Sequence, residues 1–377
     1  MRRATNGQLR IRTARSYPVP FLIDLGQRNA VFVKRPLTPL RRFFDCADAF
    51  GFYPEPDYDA LHTINAVPLL GRAPYVITFE DYLPRVPEDR YIGWLERFLQ
   101  KRLLGDRCRA LVAISEFGLR QFRWQNRDFA GRAALEAKMQ LIYPAMRLRR
   151  TAPKQRSGKL KLLFVAHHFM LKGGPALIRA HERLRRAGVP VETTIVTSLR
   201  FDEHDYFGPP DRPLMERETA KLTTSEGITH HRLLPNSEVL RLMDEADFFI
   251  FPTFQDTFGF APVEALAHAT PVLATNTCAQ PEIVDDGVNG WLLPFENEEH
   301  VGKWKWLYRT RDPGYVEAYE ATIERIAEVM YARLHASFEG HPSEYEALSA
   351  GAIRKVETRF NVDKAREKLE ALYEKLR

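Results

Sequence analysis

The sequence predicts an α/β protein of two parallel-sheet domains. Short apolar runs alternate with helix-like stretches in both halves of the chain, the pattern of strands joined by helices that cover both faces of a sheet. A basic segment bearing Pro and Gly, residues 147–159 (RLRRTAPKQRSGK), separates the two alternations and reads as a linker. At 377 residues the chain is long enough for two domains of ordinary size.

Taken in order, residues 21–24 and 30–33 are short apolar runs, and residues 59–62 and 75–79 read as buried strands. Residues 91–104 have helical spacing, with Leu95, Phe98, Leu99 and Leu103 on one face. Residues 110–114 form another strand. Ser115 opens a helix carrying Phe117, Leu119 and Phe122, and residues 139–142 close the first half as a strand. The second alternation starts with a strand at 160–166. Residues 199–232 are charged and poorly periodic, which predicts a long loop or small excursion. Residues 301–357 read as helical with a break near 340–343. A last helix, 363–376, places Ala365, Leu369, Leu372 and Leu376 on one face.

The stretch FFIFPTFQDTFGFAPVEALAHATPVLATNTCAQPEIVDDGVNGW, residues 248–291, is the most informative. Residues 248–251 form a buried-type strand that breaks at Pro252. A loop with Asp256 and Gly259 follows. Pro262 stands where a first helical residue would stand, and residues 271–274 give the next strand. Such a loop lies at the carboxyl edge of a parallel sheet, where open α/β sheets bind ligands. The helix start suits a phosphate, because its backbone N–H groups lack partners within the helix. Asp256 and Glu264 flank that start, and a pair of carboxylates suits a ligand rich in hydroxyls.

This segment resembles the donor-site signature of retaining nucleotide-sugar glycosyltransferases of the GT-B fold, family four type. The resembling residues are Asp256, Glu264, Pro271-Val272, Pro281-Glu282, Asp286-Gly287 and Gly290. KLLFVAHHFMLKGG, residues 161–174, is similar to the family's first strand and loop of the second domain. Lys172 and Gly173 match its Lys-Gly pair, and His167 stands where an Arg is usual. LLPNSEVLRLMDEADFFIFPT, residues 233–253, resembles the stretch that lies beside the nucleotide base, with Asn236 or Ser237 as the expected helix cap. In the first half, DALHTINAVP, VITFEDYLP, ALVAISEFGLRQF and KMQLIYPA resemble family stretches in the same order. Glu80 replaces the His that usually precedes Asp81, and of the family's N-terminal glycine-rich loop only Gly26 is a candidate.

The resemblance implies two facing Rossmann-like domains, with residues 1–150 as the acceptor domain and 151–359 as the nucleotide-sugar donor domain. Residues 360–377 are expected to pack back on the first. It implies transfer of a sugar to a glycan, lipid-linked or cell-envelope acceptor, with retention. Glu264 is expected to bind ribose hydroxyls. Asp256 is expected to meet the sugar as the catalytic-site carboxylate. Lys172, Gly173, His167, Thr257, Phe258, Gly259 and Phe260 are expected around the donor diphosphate. His62, Glu80 and Asp81 are acceptor or cleft candidates, against the plainer reading of His62 as a buried strand-end histidine. No cofactor and no metal are expected, since a lysine and a helix N-terminus can carry the diphosphate charge.

Composition narrows the alternatives. Residues 1–150 hold 26 Lys or Arg and 15 Asp or Glu, a net +11, while the remainder hold 29 and 34, a net −5. Such a division suggests a surface that meets anions. Lipid headgroups and anionic glycans are the expected partners; a nucleic-acid binder lacks interleaved exposed aromatics or a known motif. No apolar run approaches the ~18 residues a membrane span needs. Three cysteines without metal-type spacing, and no secretory signal, point to the cytoplasm, with the inner face of the membrane as a possible station. The rival reading is a catalytically silent nucleotide-sugar or glycan binding protein on the same fold, motivated by Glu80 and the missing glycine loop.

Overall fold

The computed structural model describes residues 7–14, 18–35, 49–53, 57–86, 93–156, 158–199, 211–299 and 302–377. The chain divides into two compact units, Met1–Met146 with Phe360–Arg377, and Arg147–Arg359. Each is built on one parallel sheet that has six strands among the described residues.

In order, unit 1 contains β1 (Leu9–Ala14), α1 (Val19–Leu22), β2 (Ala30–Arg35), β3 (Phe50–Gly51), β4 (Ala60–Ile64), β5 (Val67–Pro68), β6 (Tyr75–Phe79), α2 (Gly93–Leu104), β7 (Cys108–Ala113), α3 (Glu116–Gln125), α4 (Arg132–Glu136) and β8 (Met139–Leu141). The sheet order is β2-β1-β4-β6-β7-β8. The pleat of each strand sorts its side chains between two cores. Leu61, Ile77 and Leu111 face one way and pack with Leu95, Leu99 and Leu103 of α2 and Phe122 of α3. Ala60, Val76, Ala110 and Val112 face the other way and pack with the chain's last helix. Ser115 caps α3 by accepting from the Gly118 N–H at 2.9 Å, as the sequence predicts.

Unit 2 contains β9 (Leu160–Val165), α5 (Gly174–Arg186), β10 (Val191–Val196), α6 (Arg212–Thr224), β11 (Ile228–His231), α7 (Asn236–Glu245), β12 (Phe248–Phe251), α8 (Phe260–Ala267), β13 (Val272–Thr275), α9 (Gln280–Ile283), β14 (Gly290–Leu293), α10 (Tyr315–Glu339) and α11 (Pro342–Thr358). Its sheet runs β11-β10-β9-β12-β13-β14. This order, with strands leaving the first strand in opposite directions, creates a switch point between β9 and β12, where open sheets leave a crevice at the carboxyl ends. The four residues of β12 are all buried, each contributing about 1.5–3 kcal/mol on removal from water.

The chain ends in α12 (Val362–Glu374), which belongs to unit 1. Asn361 caps it through the N–H groups of Asp363 and Lys364. Leu369, Leu372, Tyr373 and Leu376 complete the second core of unit 1.

Several expectations change. Residues 21–24 belong to the end of a short helix rather than to a sheet. The first strand is β1, whose arginines mask it in the sequence; the Arg12 guanidinium is itself buried, over the rings of Tyr53 and Tyr58. The expected excursion at 199–232 contains α6, capped by Asp211 through the Leu214 N–H, and β11. Helix begins only at Tyr315 after the turns of 302–314. The expected linker is docked on unit 2. Lys154 is buried and its ammonium donates to the carbonyls of Met243 and Ala246 and to Thr270 Oγ1. Burial pushes its pKa down to about 7, yet three acceptors match the three donors of the charged form.

Candidate functional site

The switch point of unit 2 brings together two loops that are far apart in sequence. One follows β9 and ends at Gly173, which takes a left-handed φ of 72° just before α5. A Cβ there would lie 2.0 Å from the Pro252 carbonyl oxygen, so only glycine lets this loop close on the one after β12. The Phe254 N–H donates to the Leu171 carbonyl at 2.9 Å and knits the two together. From outside, the Tyr319 hydroxyl of α10 donates to the Met170 carbonyl at 2.7 Å.

At this seam the Lys172 ammonium meets Asp256. Nζ lies 2.8 Å from Asp256 Oδ2 and also donates to the Gln255 carbonyl. Both side chains are mostly buried, 15% and 25% exposed. Nζ stands 5.6 Å from the centre of the Phe251 ring. Among the described residues two of the ammonium's three donors have partners, which leaves a third for a ligand. Asp256 Oδ1 accepts from the Phe258 N–H at 3.3 Å, which fixes the turn leading to α8.

Gly259, with a left-handed φ of 96°, precedes the first residue of α8. The helix starts at Phe260, two residues earlier than the sequence suggests, so that Pro262 is its third residue. The first turn presents N–H groups that the helix cannot satisfy itself. Gln280, fully buried, donates from Nε2 to the Phe258 carbonyl at 2.8 Å and lies against Gly259. Sequence reading missed Gln280 and Gln255. Nothing in a glutamine's spacing marks it as a loop support, and Gln255 acts through its backbone carbonyl.

One turn into α8, Glu264 is half-buried. Among the described residues no donor is directed at its side-chain oxygens. Burial pushes its carboxyl up to about 6, opposed by the positive charge of Arg149, whose N–H is tied to the Ala267 carbonyl at 2.8 Å. A half-buried carboxylate that no described donor engages has its acceptor capacity open to a ligand.

The remaining expectations divide. Thr257, Phe258 and Phe260 lie in the same turn as Asp256 and Gly259. His167 is exposed at the end of β9, its Nδ1 3.3 Å from Ser198 Oγ, just beyond β10. The structure does not bring it to the Lys172–Asp256 pair; the β10 side of β9 is the side away from β12. Neither Asn236 nor Ser237 caps α7, whose N-cap position is Pro235.

In unit 1, His62 corrects the cleft expectation. It is fully buried, with Nδ1 2.8 Å from the Tyr373 hydroxyl and Nε2 2.8 Å from Thr78 Oγ1. Burial lowers its pKa to about 3, so it is a neutral core residue that ties α12 to the sheet. Glu80 and Asp81 follow β6 at the carboxyl edge of the sheet. The Glu80 N–H donates to Asn65 Oδ1 at 3.2 Å, and Arg85 lies 3.8 Å from both carboxylates. Asn65 itself holds a left-handed φ of 58° just past β4. Asp81 is buried and accepts from the Tyr82 N–H at 2.7 Å, a local backbone role. Among the described residues no group of three His, Cys, Asp or Glu side chains is arranged to hold a metal ion.

Comparison with known proteins bears on this geometry. Residues 147–309 match the family described as glycosyl transferases group 1. The matched residues lie in unit 2, take in the strands and helices around the Lys172–Asp256 seam, and cover less than half of the chain. A D-inositol 3-phosphate glycosyltransferase of Arthrobacter sp. (strain FB24) is 30% identical to it over 139 residues, 36% of this chain and 31% of that protein. A putative colanic acid biosynthesis glycosyltransferase, WcaL of Salmonella typhimurium, is 39% identical over 70 residues, 17% of each. The matched stretches thus span about a third or less of these relatives. A solved glycosyltransferase from Rickettsia africae superposes with a TM-score of 0.61 at 14% identity, covering 98% of this chain and 99% of the other. Anabaena Alr3699/HepE, solved with UDP and glucose, gives 0.60 at 16% identity, covering 97% and 100%. The chain therefore has the GT-B fold, two Rossmann-like domains on parallel sheets. No helix among the described residues is long and apolar enough to cross a membrane.

Proposed function

We propose that this protein transfers a sugar from a nucleoside diphosphate sugar to an acceptor hydroxyl, with retention and without a metal ion. The observation that carries this reading is the switch point of unit 2. There a lysine–aspartate pair and two left-handed glycines adjoin the start of α8, and one turn later follows a half-buried Glu264 whose oxygens receive no hydrogen bond among the described residues. These groups have separate tasks. Glu264 accepts from the ribose hydroxyls. The first turn of α8 and the free donor of Lys172 take the diphosphate. Asp256 holds Lys172 and meets hydroxyls of the sugar.

In the transfer, the bond from the anomeric carbon to the diphosphate oxygen breaks and one to the acceptor oxygen forms. The acceptor proton passes to water or to the departing diphosphate, and the nucleoside diphosphate leaves with the electron pair of the broken bond. Donors fixed before the reaction stabilise that developing charge without reorganising. Residues 151–359 are the donor domain in this reading, and residues 1–150 with 360–377 supply the acceptor side, with Glu80 and Asp81 as its candidate groups. The relatives named above are a D-inositol 3-phosphate glycosyltransferase and a putative colanic acid biosynthesis glycosyltransferase, which supports a hydroxyl-rich, glycan-type acceptor.

The test is calorimetry with nucleoside diphosphates and their sugars, followed by transfer or hydrolysis of labelled donor, with and without a chelator. Binding and turnover that persist in chelator are expected. Binding without any turnover of a panel of donors would favour the silent binder. No response to any nucleotide would overturn the reading.

A further inference from the structure

We propose that the outer face of α2, together with the end of α3, docks unit 1 on an anionic lipid bilayer. The helix α2 is two-faced. Leu95, Leu99 and Leu103 enter the core, while Trp94 is 72% exposed and Phe98 44% exposed. These two aromatics are one turn apart, so they share a side of the helix. Arg97 and Lys101, also one turn apart and exposed, flank them. Neither has a carboxylate partner among the described residues. Across a cavity of about 650 Å3 stands Trp124 at the end of α3, 41% exposed, with the Arg127 guanidinium 4.2 Å from its ring centre.

Large exposed aromatics are costly to a protein that meets only water, and a contiguous group of them marks an interaction surface. Their neighbours choose the partner. Residues 93–132 hold nine Lys or Arg and four Asp or Glu, a net +5. Of the acids near the cavity, Glu96 is buried and accepts from Gln125 Nε2 at 3.0 Å, and Asp128 lies 3.5 Å from Arg127 Nε. The outward charge is therefore positive. Trp and Phe with Arg and Lys on one exposed helix face match a membrane interface, where rings sit at headgroup level and cations meet phosphates. The cavity between the basic walls of α2 and the 124–130 turn has room for a headgroup. The arginines near the N-terminus, Arg2, Arg3, Arg15, Arg41 and Arg42, lie outside the described residues, and the inference does not use them.

The experiment is co-sedimentation of the full chain with phosphatidylglycerol-containing and pure phosphatidylcholine vesicles, at low and physiological salt. A soluble anionic polysaccharide serves as competitor. Two double variants are compared, R97Q/K101Q and W94A/F98A, each checked for unchanged nucleoside diphosphate affinity by calorimetry. The wild type should partition to the anionic vesicles at least tenfold better than to neutral ones and lose most of this at physiological salt, as screening shortens. R97Q/K101Q should lower partitioning by about tenfold or more, since each basic group near an anionic leaflet contributes severalfold. W94A/F98A should lower it at both salt concentrations, because ring burial is not screened. Equal partitioning to both vesicle types, or variants that bind like wild type, would overturn the inference. So would capture of the polysaccharide through Arg97 and Lys101 without vesicle binding.

Discussion

At the residue scale, Glu264 sets folding against binding. Its carboxyl titrates near 6 in the fold, above its ordinary value of 4.5, because burial penalises the charge. The stability it contributes is therefore fully present below about pH 4.5 and is lost as pH rises through 6. Glu264→Gln removes that penalty and should raise stability at pH 8 by about 1–2 kcal/mol relative to its effect at pH 4.5. The same change replaces a charged acceptor by a neutral one and should weaken nucleotide binding by about 1.5–3 kcal/mol. Urea titrations at the two pH values, with calorimetry at pH 8, read both effects. A variant equally stable relative to wild type at both pH values, or one binding nucleotide normally, contradicts the role.

Lys172 and Asp256 are distinguished by what each loses when its partner goes. Lys172→Ala removes the cation nearest the expected diphosphate, so affinity for a nucleoside diphosphate should fall about 10–100-fold and that for the nucleoside hardly at all. Asp256→Asn keeps the lysine bonded to the Gln255 carbonyl. Turnover should then drop much more than diphosphate affinity. Equal losses for free nucleotide and nucleotide sugar would remove Asp256 from the sugar.

At the element scale, the close approach of two loops at Gly173 is the most stringent demand in unit 2. Gly173→Ala places a methyl on a backbone oxygen in a left-handed conformation. A loss of about 2–3 kcal/mol is expected, from strain that neither loop can relieve by a rotamer change. Denaturant unfolding of unit 2 measures it, and a loss below half of that would mean the loops have slack. Legibility in the sequence follows the same physics. Strand, loop and helix around Asp256 were readable because Phe248–Phe251 is an uninterrupted apolar run and the helix start is marked by glycine and proline. The first strand was not, since alternating arginines imitate a solvated tail until Tyr53 and Tyr58 cover Arg12. The contact between Lys172 and Asp256 was not readable either. Each residue was a candidate alone, but their meeting depends on the strand order β9-β12, which no local pattern encodes.

At the scale of the whole molecule, unit 1 is discontinuous: its last helix comes from the far end of the chain. Leu369, Leu372, Tyr373 and Leu376 fill one of its two cores, each at most 5% exposed. At about 1.5–3 kcal/mol for each buried side chain, their removal costs on the order of 6–12 kcal/mol. That is comparable to the total stability of an ordinary domain, about 5–15 kcal/mol. The Tyr373 hydroxyl also leaves, and His62 Nδ1 then has no partner in the core. Truncation after Arg359 should therefore unfold unit 1 while sparing unit 2, whose sheet and α10 and α11 remain intact. Calorimetric unfolding of the full chain should show the transition of unit 2 rise with added nucleoside diphosphate, since a ligand of the folded state stabilises by mass action. In the truncated chain that ligand-sensitive transition should persist at nearly the same temperature, and the other transition should vanish. Loss of both transitions would show that unit 2 depends on unit 1 for its fold. Retention of both would show that the α12 core is dispensable, against the burial of its side chains.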